Sequence, residues 1–317
     1  MRVEFASYRR IADKIVFFII VLLTIPGIGF AGQKLSVFVS IAPQKYFVQK
    51  IGKQWVSVKV MVQAGANPAT YEPKPRQMVD LSKTQVYFAI GVPFEDIWLD
   101  RIAAANSAMK VVRTDREIAR MPMVAHYHHD GKEEEHTAGG HQARSDRHSE
   151  GGENHRGLDP HTWLSPPLVK IQARSILTAL RAIDPLHQDA YEANYRQFIT
   201  EIDRLDSRLR QIFESRRGLR FLVFHPAWGY FAHAYGIEQV PIEIEGKAPK
   251  PARLKALIDH AREAGIKVIF VQPQFSTKSA RLVAREIGGQ VAFADPLAED
   301  WAANLEAVAR SFEAALK

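Results

Sequence analysis

The chain has 317 residues, 46% of them apolar and 24% charged, with a formal net charge of +7 and no cysteine. This is the composition of an ordinary globular protein, and the length is enough for two domains. Without cysteine there is no disulfide framework, thiolate metal site or lipid-modified cysteine, and positive charge that is spread rather than clustered is only a weak argument for a nucleic-acid partner, so none is expected.

Residues 1–32 read as a secretory signal. Arg9, Arg10 and Lys14 form a basic region, Ile15 to Ile25 is an apolar run, and Gly29-Phe30-Ala31 supplies a small-x-small cleavage pattern. The run is too short to span a bilayer, so a cleaved N-terminal signal peptide and a soluble, periplasmic mature protein are expected. Gly27 to Gly32 matches G-x-G-x-x-G but follows the signal's apolar run rather than a strand, and it carries no dinucleotide meaning.

Strands and helices then alternate. Leu35 to Ser40 predicts a strand, Gln44 to Ile51 a helix, and Trp55 to Val62 a second strand. A Pro/Gly segment, Gly65 to Pro75, leads to a helix near Gln77 to Lys83. Val86 to Gly91 reads as a buried strand, Phe94 to Ala105 as a helix and Met109 to Arg113 as a strand. The rhythm breaks at Ala125 to Leu158, where seven of the chain's twelve histidines fall between His126 and His155. Imidazole is the commonest protein ligand for borderline metals, and a histidine-rich stretch poor in apolar residues has no core to join.

After Pro185 there is neither glycine nor proline as far as Ser215, and Tyr191, Tyr195, Phe198, Ile202, Leu205, Leu209 and Ile212 recur at helical spacing. One helix of roughly 45 Å is expected at about 1.5 Å per residue. The alternation resumes with strands at Arg220 to Phe224, near Gln239 to Ile244, at Lys267 to Gln272 and at Gln290 to Phe293. Helices are expected from Trp228, at Pro251 to Ala264, at Lys278 to Ile287 and at Glu299 to Leu316. The fold class is therefore α/β: two parallel-sheet α/β lobes joined by a long rigid helix. The expected segments are a signal peptide at 1–32, an N-terminal lobe at 33–184 containing the histidine-rich loop 125–158, a linking helix at 185–215 and a C-terminal lobe at 216–317.

Ligands of open α/β sheets gather at the carboxyl ends of strands. His225 follows one such strand, Asp295 another, and His161 lies in a Pro-punctuated turn after the histidine-rich loop. Two imidazoles and a carboxylate suit Zn²⁺, with Mn²⁺ or Fe²⁺ favoured as oxygen replaces nitrogen. Each residue also has an ordinary explanation. His161 would cap a turn beside Trp163, His225 would be a satisfied core histidine, and Asp295 before Pro296 would be a turn or N-cap residue. His187, His233 and His260 lie within helical patterns and read as surface or packing residues.

Asp159-Pro160-His161-Thr162-Trp163-Leu164-Ser165-Pro166 resembles the signature of the zinc- and manganese-binding solute-binding proteins of bacterial ABC importers. So do Gly65 to Pro68 with Tyr71-Glu72-Pro73, Gly91 to Glu95 with Trp98, Phe224 to Phe231, and Gln272 to Ser276, in order along nearly the whole chain after the signal. The histidine-rich insertion and a histidine rather than a glutamate at position 225 are similar to the zinc-specific branch. The resemblance implies one metal in the cleft between the lobes, with His161, His225 and Asp295 at ligand positions. It departs at Pro68-Ala69-Thr70-Tyr71, where the family carries a histidine ligand and Ala69 has no donor atom. The fourth place then falls to a water, to Glu72, or to a loop histidine such as His126, His128 or His129. The implied function is capture of Zn²⁺, as the transported ligand, and its delivery to a membrane ABC permease by a monomeric, non-enzymatic protein. The alternatives are a secreted zinc-dependent hydrolase, for which no H-E-x-x-H or G-x-S-x-G motif is present, a manganese- or iron-specific binding protein, and a metal buffer.

Overall fold

The computed structural model describes residues 34–123, 157–243, 250–274 and 277–315. The expected signal at 1–32 and residues 125–156 of the histidine-rich loop lie outside them. In the first lobe, β1 (Leu35–Val39) leads into α1 (Ala42–Gly52), β2 (Val56–Val60), α2 (Pro75–Leu81), β3 (Val86–Ala89), α3 (Pro93–Ala105) and β4 (Lys110–Arg113). Their order is β2-β1-β3-β4 and every pairing is parallel. All four residues of β3 are buried, as a strand covered on both faces requires. α2 and α3 both open on a proline, whose fixed φ and missing N–H cost nothing in a first turn.

Two antiparallel-neighbour helices follow, α4 (Pro166–Ile183) and α5 (Gln188–Phe213), separated by a short 3₁₀ turn, Pro185–His187. The long helix at 185–215 is thus present, extended at its far end by the 3₁₀ turn Glu214–Arg216. α4 is an addition to the elements read from the sequence. Its buried positions Val169, Gln172, Ala173, Ile176, Leu177 and Leu180 form one helical stripe. His187 is indeed a packing residue: its ring stacks on Trp55 at 3.8 Å and its Nδ1 lies 2.7 Å from Asp184.

The second lobe runs β5 (Arg220–Val223), α6 (Gly229–Tyr235), β6 (Glu238–Pro241), α7 (Pro251–Glu263), β7 (Val268–Val271), α8 (Lys278–Ile287), β8 (Gln290–Phe293) and α9 (Trp301–Ala315). Its parallel order, β6-β5-β7-β8, repeats that of the first sheet. Pro241 is tolerated because β6 is an edge strand. In each sheet the first strand lies between the second and the third, which places a topological switch point, and a crevice, at the carboxyl ends of β1/β3 and of β5/β7.

α5 ties the lobes together through aromatic packing. Phe198 meets Tyr46 and Phe47 of α1 at centroid distances of 6.1 and 6.0 Å, while Phe213 meets Phe231 and Phe312 of the second lobe at 5.7 and 5.2 Å. One apolar cluster therefore continues from β1 and β3 through α4 and α5 to Phe221, Phe270 and α9, and the outer part of the second lobe has a smaller cluster of its own.

Candidate metal centre

His225 stands two residues beyond β5, beside the crevice between β5 and β7. Its carbonyl accepts hydrogen bonds from Ala227 N–H at 2.8 Å and from the Gln272 carboxamide at 3.1 Å, which fixes the backbone that carries the ring. The ring is fixed separately, because Nδ1 lies 2.5 Å from Oε1 of Glu243, a residue only 4% exposed.

His161 is held in the same way from the other lobe. Asp159 Oδ1 accepts the His161 backbone N–H at 2.9 Å and lies 2.7 Å from its Nδ1. Asp159 is itself anchored: its N–H donates to Met121 O at 2.8 Å and its carbonyl accepts from Tyr230 Oη at 3.0 Å. Burial holds the His161 pKa below the ordinary imidazole value and outweighs the opposing pull of Asp159, so the ring is kept neutral, the form that binds metal.

The two rings face each other across the lobes, with centroids 5.2 Å apart and planes at 70°. With Nδ1–H given to a carboxylate in each case, Nε2 is the atom a metal would take, and a carboxylate on the far nitrogen is the usual support of a metal-bound histidine. The rings border a cavity of about 310 Å³ whose lining also includes Asn67, Ala69, Asp96, Gln272 and Gln274.

Asp295 is placed differently. Its Oδ1 accepts hydrogen bonds from Gln274 Nε2 at 2.9 Å and from Leu297 N–H at 3.0 Å, and the cavity wall is made by Gln274, Pro296 and Leu297 rather than by Asp295. Among the described residues no group of three His, Asp or Glu side chains is arranged to hold a metal. The structure thus brings His161 and His225 together and leaves Asp295 one residue behind the wall. Ala69 does face the cavity, at the place where the resemblance calls for a ligand, and Glu72 is exposed and outside the lining. His126, His128 and His129 lie outside the described residues. The ends flanking their segment are described: Met123 N–H donates to Gly157 O at 2.8 Å, and Met123, Gly157 and Leu158 all line the cavity.

Several residues of the site were not singled out from the sequence. Asp159 sits inside the D-P-H motif and was legible there. Glu243 is separated from His225 by a helix and a strand and left no local signal. Asp96, in the first turn of α3, is the one carboxylate among the described lining residues. Gln272 and Gln274 flank Pro273 immediately after β7.

A family model described as ZnuA, "Zinc-uptake complex component A periplasmic", matches residues 37–315. The high-affinity zinc uptake system protein ZnuA of Bacillus subtilis (strain 168) is 27% identical over 266 residues, covering 82% of this chain and 77% of that protein. The zinc-binding protein AdcA of Streptococcus pyogenes serotype M3 is 26% identical over 271 residues, 84% of this chain but 51% of AdcA, so the chain spans about half of that relative. A crystal structure of ZnuA is 40% identical and covers 90% of this chain and 100% of its own, with a TM-score of 0.77.

Proposed function

Because the chain belongs to the ZnuA family of periplasmic zinc-uptake components, we propose that it captures Zn²⁺ in the cleft between its two lobes and hands the ion to a membrane ABC permease. The observation that carries this reading is the facing pair His161 and His225, 5.2 Å apart, each with Nδ1 on a buried carboxylate. Two imidazoles brought together from opposite lobes, each with Nδ1 on a carboxylate, suit a borderline divalent cation better than Mg²⁺ or Ca²⁺, which take oxygen ligands. Asp295 is the carboxylate we assign to the same ion. Its Oδ1 is engaged by Gln274 and Leu297, which leaves Oδ2 as the atom to offer. For the fourth place Glu72 is disfavoured because it is exposed to solvent, whereas Asp295 is tied to the lining residue Gln274, and a water or one of His126, His128 and His129 remains.

In this reading Zn²⁺ is cargo. The protein's part is to present pre-oriented donors, two imidazoles and a carboxylate, and then release the ion to the permease. Export to the periplasm is assigned to residues 1–32. Calorimetric titration of the mature chain should give one tight Zn²⁺ site plus weaker binding from the histidine-rich segment. His225→Ala should weaken the tight site by more than the roughly 10–100-fold typical of losing an outer-shell partner, and deletion of residues 126–155, which spares the lining residues Gly157 and Leu158, should retain it. Loss of all binding on deletion, with none on His225→Ala, would move the site out of the cleft.

A further inference from the structure

Two carboxamides at the end of β7 are built in a way the fold does not require. Gln272 is 1% exposed, and its Nε2 is spent on the carbonyl of His225 at 3.1 Å. Gln274 spends its Nε2 on Asp295 Oδ1 at 2.9 Å. Anchoring the nitrogen of each amide fixes where its oxygen points. Both Oε1 atoms are buried with no hydrogen-bond partner among the described residues, and both side chains line the cavity that holds His161 and His225. Buried acceptors are nearly always satisfied, so two unsatisfied ones on side chains that line one cavity point to a donor that binds beside them.

Resting on the zinc-binding reading above, we infer that Gln272 and Gln274 hold a water molecule coordinated to the captured ion, each carboxamide oxygen accepting one of that water's two O–H bonds. His161, His225 and Asp295 leave one place of a tetrahedron, and Ala69 has no atom to fill it. A divalent ion polarises its water and makes it a strong hydrogen-bond donor, and two O–H bonds match two acceptors. The space also fits: about 310 Å³ exceeds the needs of a bare ion and has room for several waters at roughly 30 Å³ each. Gln272 and Gln274 are thus positioning residues for the hydrated face of the cargo, and Gln274 in addition orients Asp295. The bound ion keeps one exchangeable place, which gives an incoming donor from the permease somewhere to attack.

The full mature chain tests this with Zn²⁺ and with Co²⁺ as a coloured substitute. X-ray absorption of the wild-type zinc protein should show one oxygen ligand beyond those supplied by the protein, and added azide should shift the visible spectrum of the cobalt protein by displacing that water. The Gln272→Met, Gln274→Met double variant, checked for folding by thermal unfolding without metal, should bind Zn²⁺ about 10–100-fold more weakly. A fully protein-coordinated ion, or a cobalt spectrum indifferent to azide, overturns the inference in the wild type alone, whether or not the variant folds. A folded variant with unchanged affinity overturns it as well. Should the wild type bind no zinc in the cleft, the functional reading itself fails. Should it bind zinc and lose it in His225→Ala while the glutamine variant is unaffected, only this inference fails.

Discussion

Glu95 shows how one residue ties the fold to pH. It is 3% exposed and accepts hydrogen bonds from Ser40 Oγ at 2.5 Å, Ile90 N–H at 3.0 Å and Gly91 N–H at 2.7 Å, at the crevice of the first sheet. Gly91 supplies its N–H from a left-handed conformation (φ +80°), with the Arg120 guanidinium occupying the space a Cβ would need. Three donors favour the carboxylate, but burial outweighs them and Asp115 adds to the upward push, raising the pKa from 4.5 to about 7. The native state therefore holds a proton that the unfolded state has lost between those values, so stability should fall as pH rises from about 4.5 to about 7 and level off above. At about 1.4 kcal/mol per pH unit, this one group contributes a decline of about 3 kcal/mol. Denaturant midpoints measured from pH 4.5 to 8 should show a slope in the wild type that is absent from Glu95→Gln. Parallel profiles for the two proteins would mean that Glu95 ionises normally.

At the scale of elements, legibility followed the range of the interaction. The strands of both sheets and the linking helix were readable because apolar runs and helical spacing are local signals that the tertiary structure reinforces. α4 was not read, because it opens on two prolines shortly after the D-P-H motif and its stripe, which itself includes the polar Gln172, is interleaved with Lys170, Arg174 and Arg181. His161 and His225 were legible from their places at a motif and a strand end. Their carboxylate partners were less so: Glu243 reaches His225 only because β6 lies beside β5. The same pairing of distant elements makes the first residue of α6 a support for the site. A Cβ on Gly229 would lie 2.7 Å from Asp159 Oδ2 and 3.1 Å from Gln239 Nε2. Gly229→Ala must therefore push Asp159 away and loosen the ring of His161. Disturbing an outer-shell anchor of this kind typically costs about 10–100-fold in metal affinity. Calorimetry should show that loss for Gly229→Ala with the helical circular dichroism signal preserved, and an unchanged affinity would show that Asp159 can yield without moving His161.

For the whole molecule, the question is how far the lobes part when the ion leaves. Beneath the cleft, Trp163 donates its indole N–H to Pro296 O at 2.7 Å, and Trp301 donates its own to Trp163 O at 2.7 Å, so each lobe grips the other's backbone. Both indoles are 1% exposed, and Trp301 packs on Phe47 and Tyr46 of α1 at 5.2 and 6.2 Å. Trp163 and Pro296 also line the cavity bordered by His161 and His225, so opening the cleft widely would break these buried hydrogen bonds and divide the shared core along α5. A wide hinge motion is thus costly, and small shifts of the cavity wall are the cheaper route for loading and release. Small-angle scattering should give superimposable profiles with and without Zn²⁺, with changes in radius of gyration below about 1 Å, as for pre-organised binding proteins. Trp301→Phe removes one indole donor and part of the packing, and should lower stability by about 2 kcal/mol. It should also let the metal-free profile expand while the zinc-bound profile stays compact, because the ion then becomes the main tie across the cleft. A wild-type protein that already opens widely without metal would show that the two tryptophans pack the lobes without latching them.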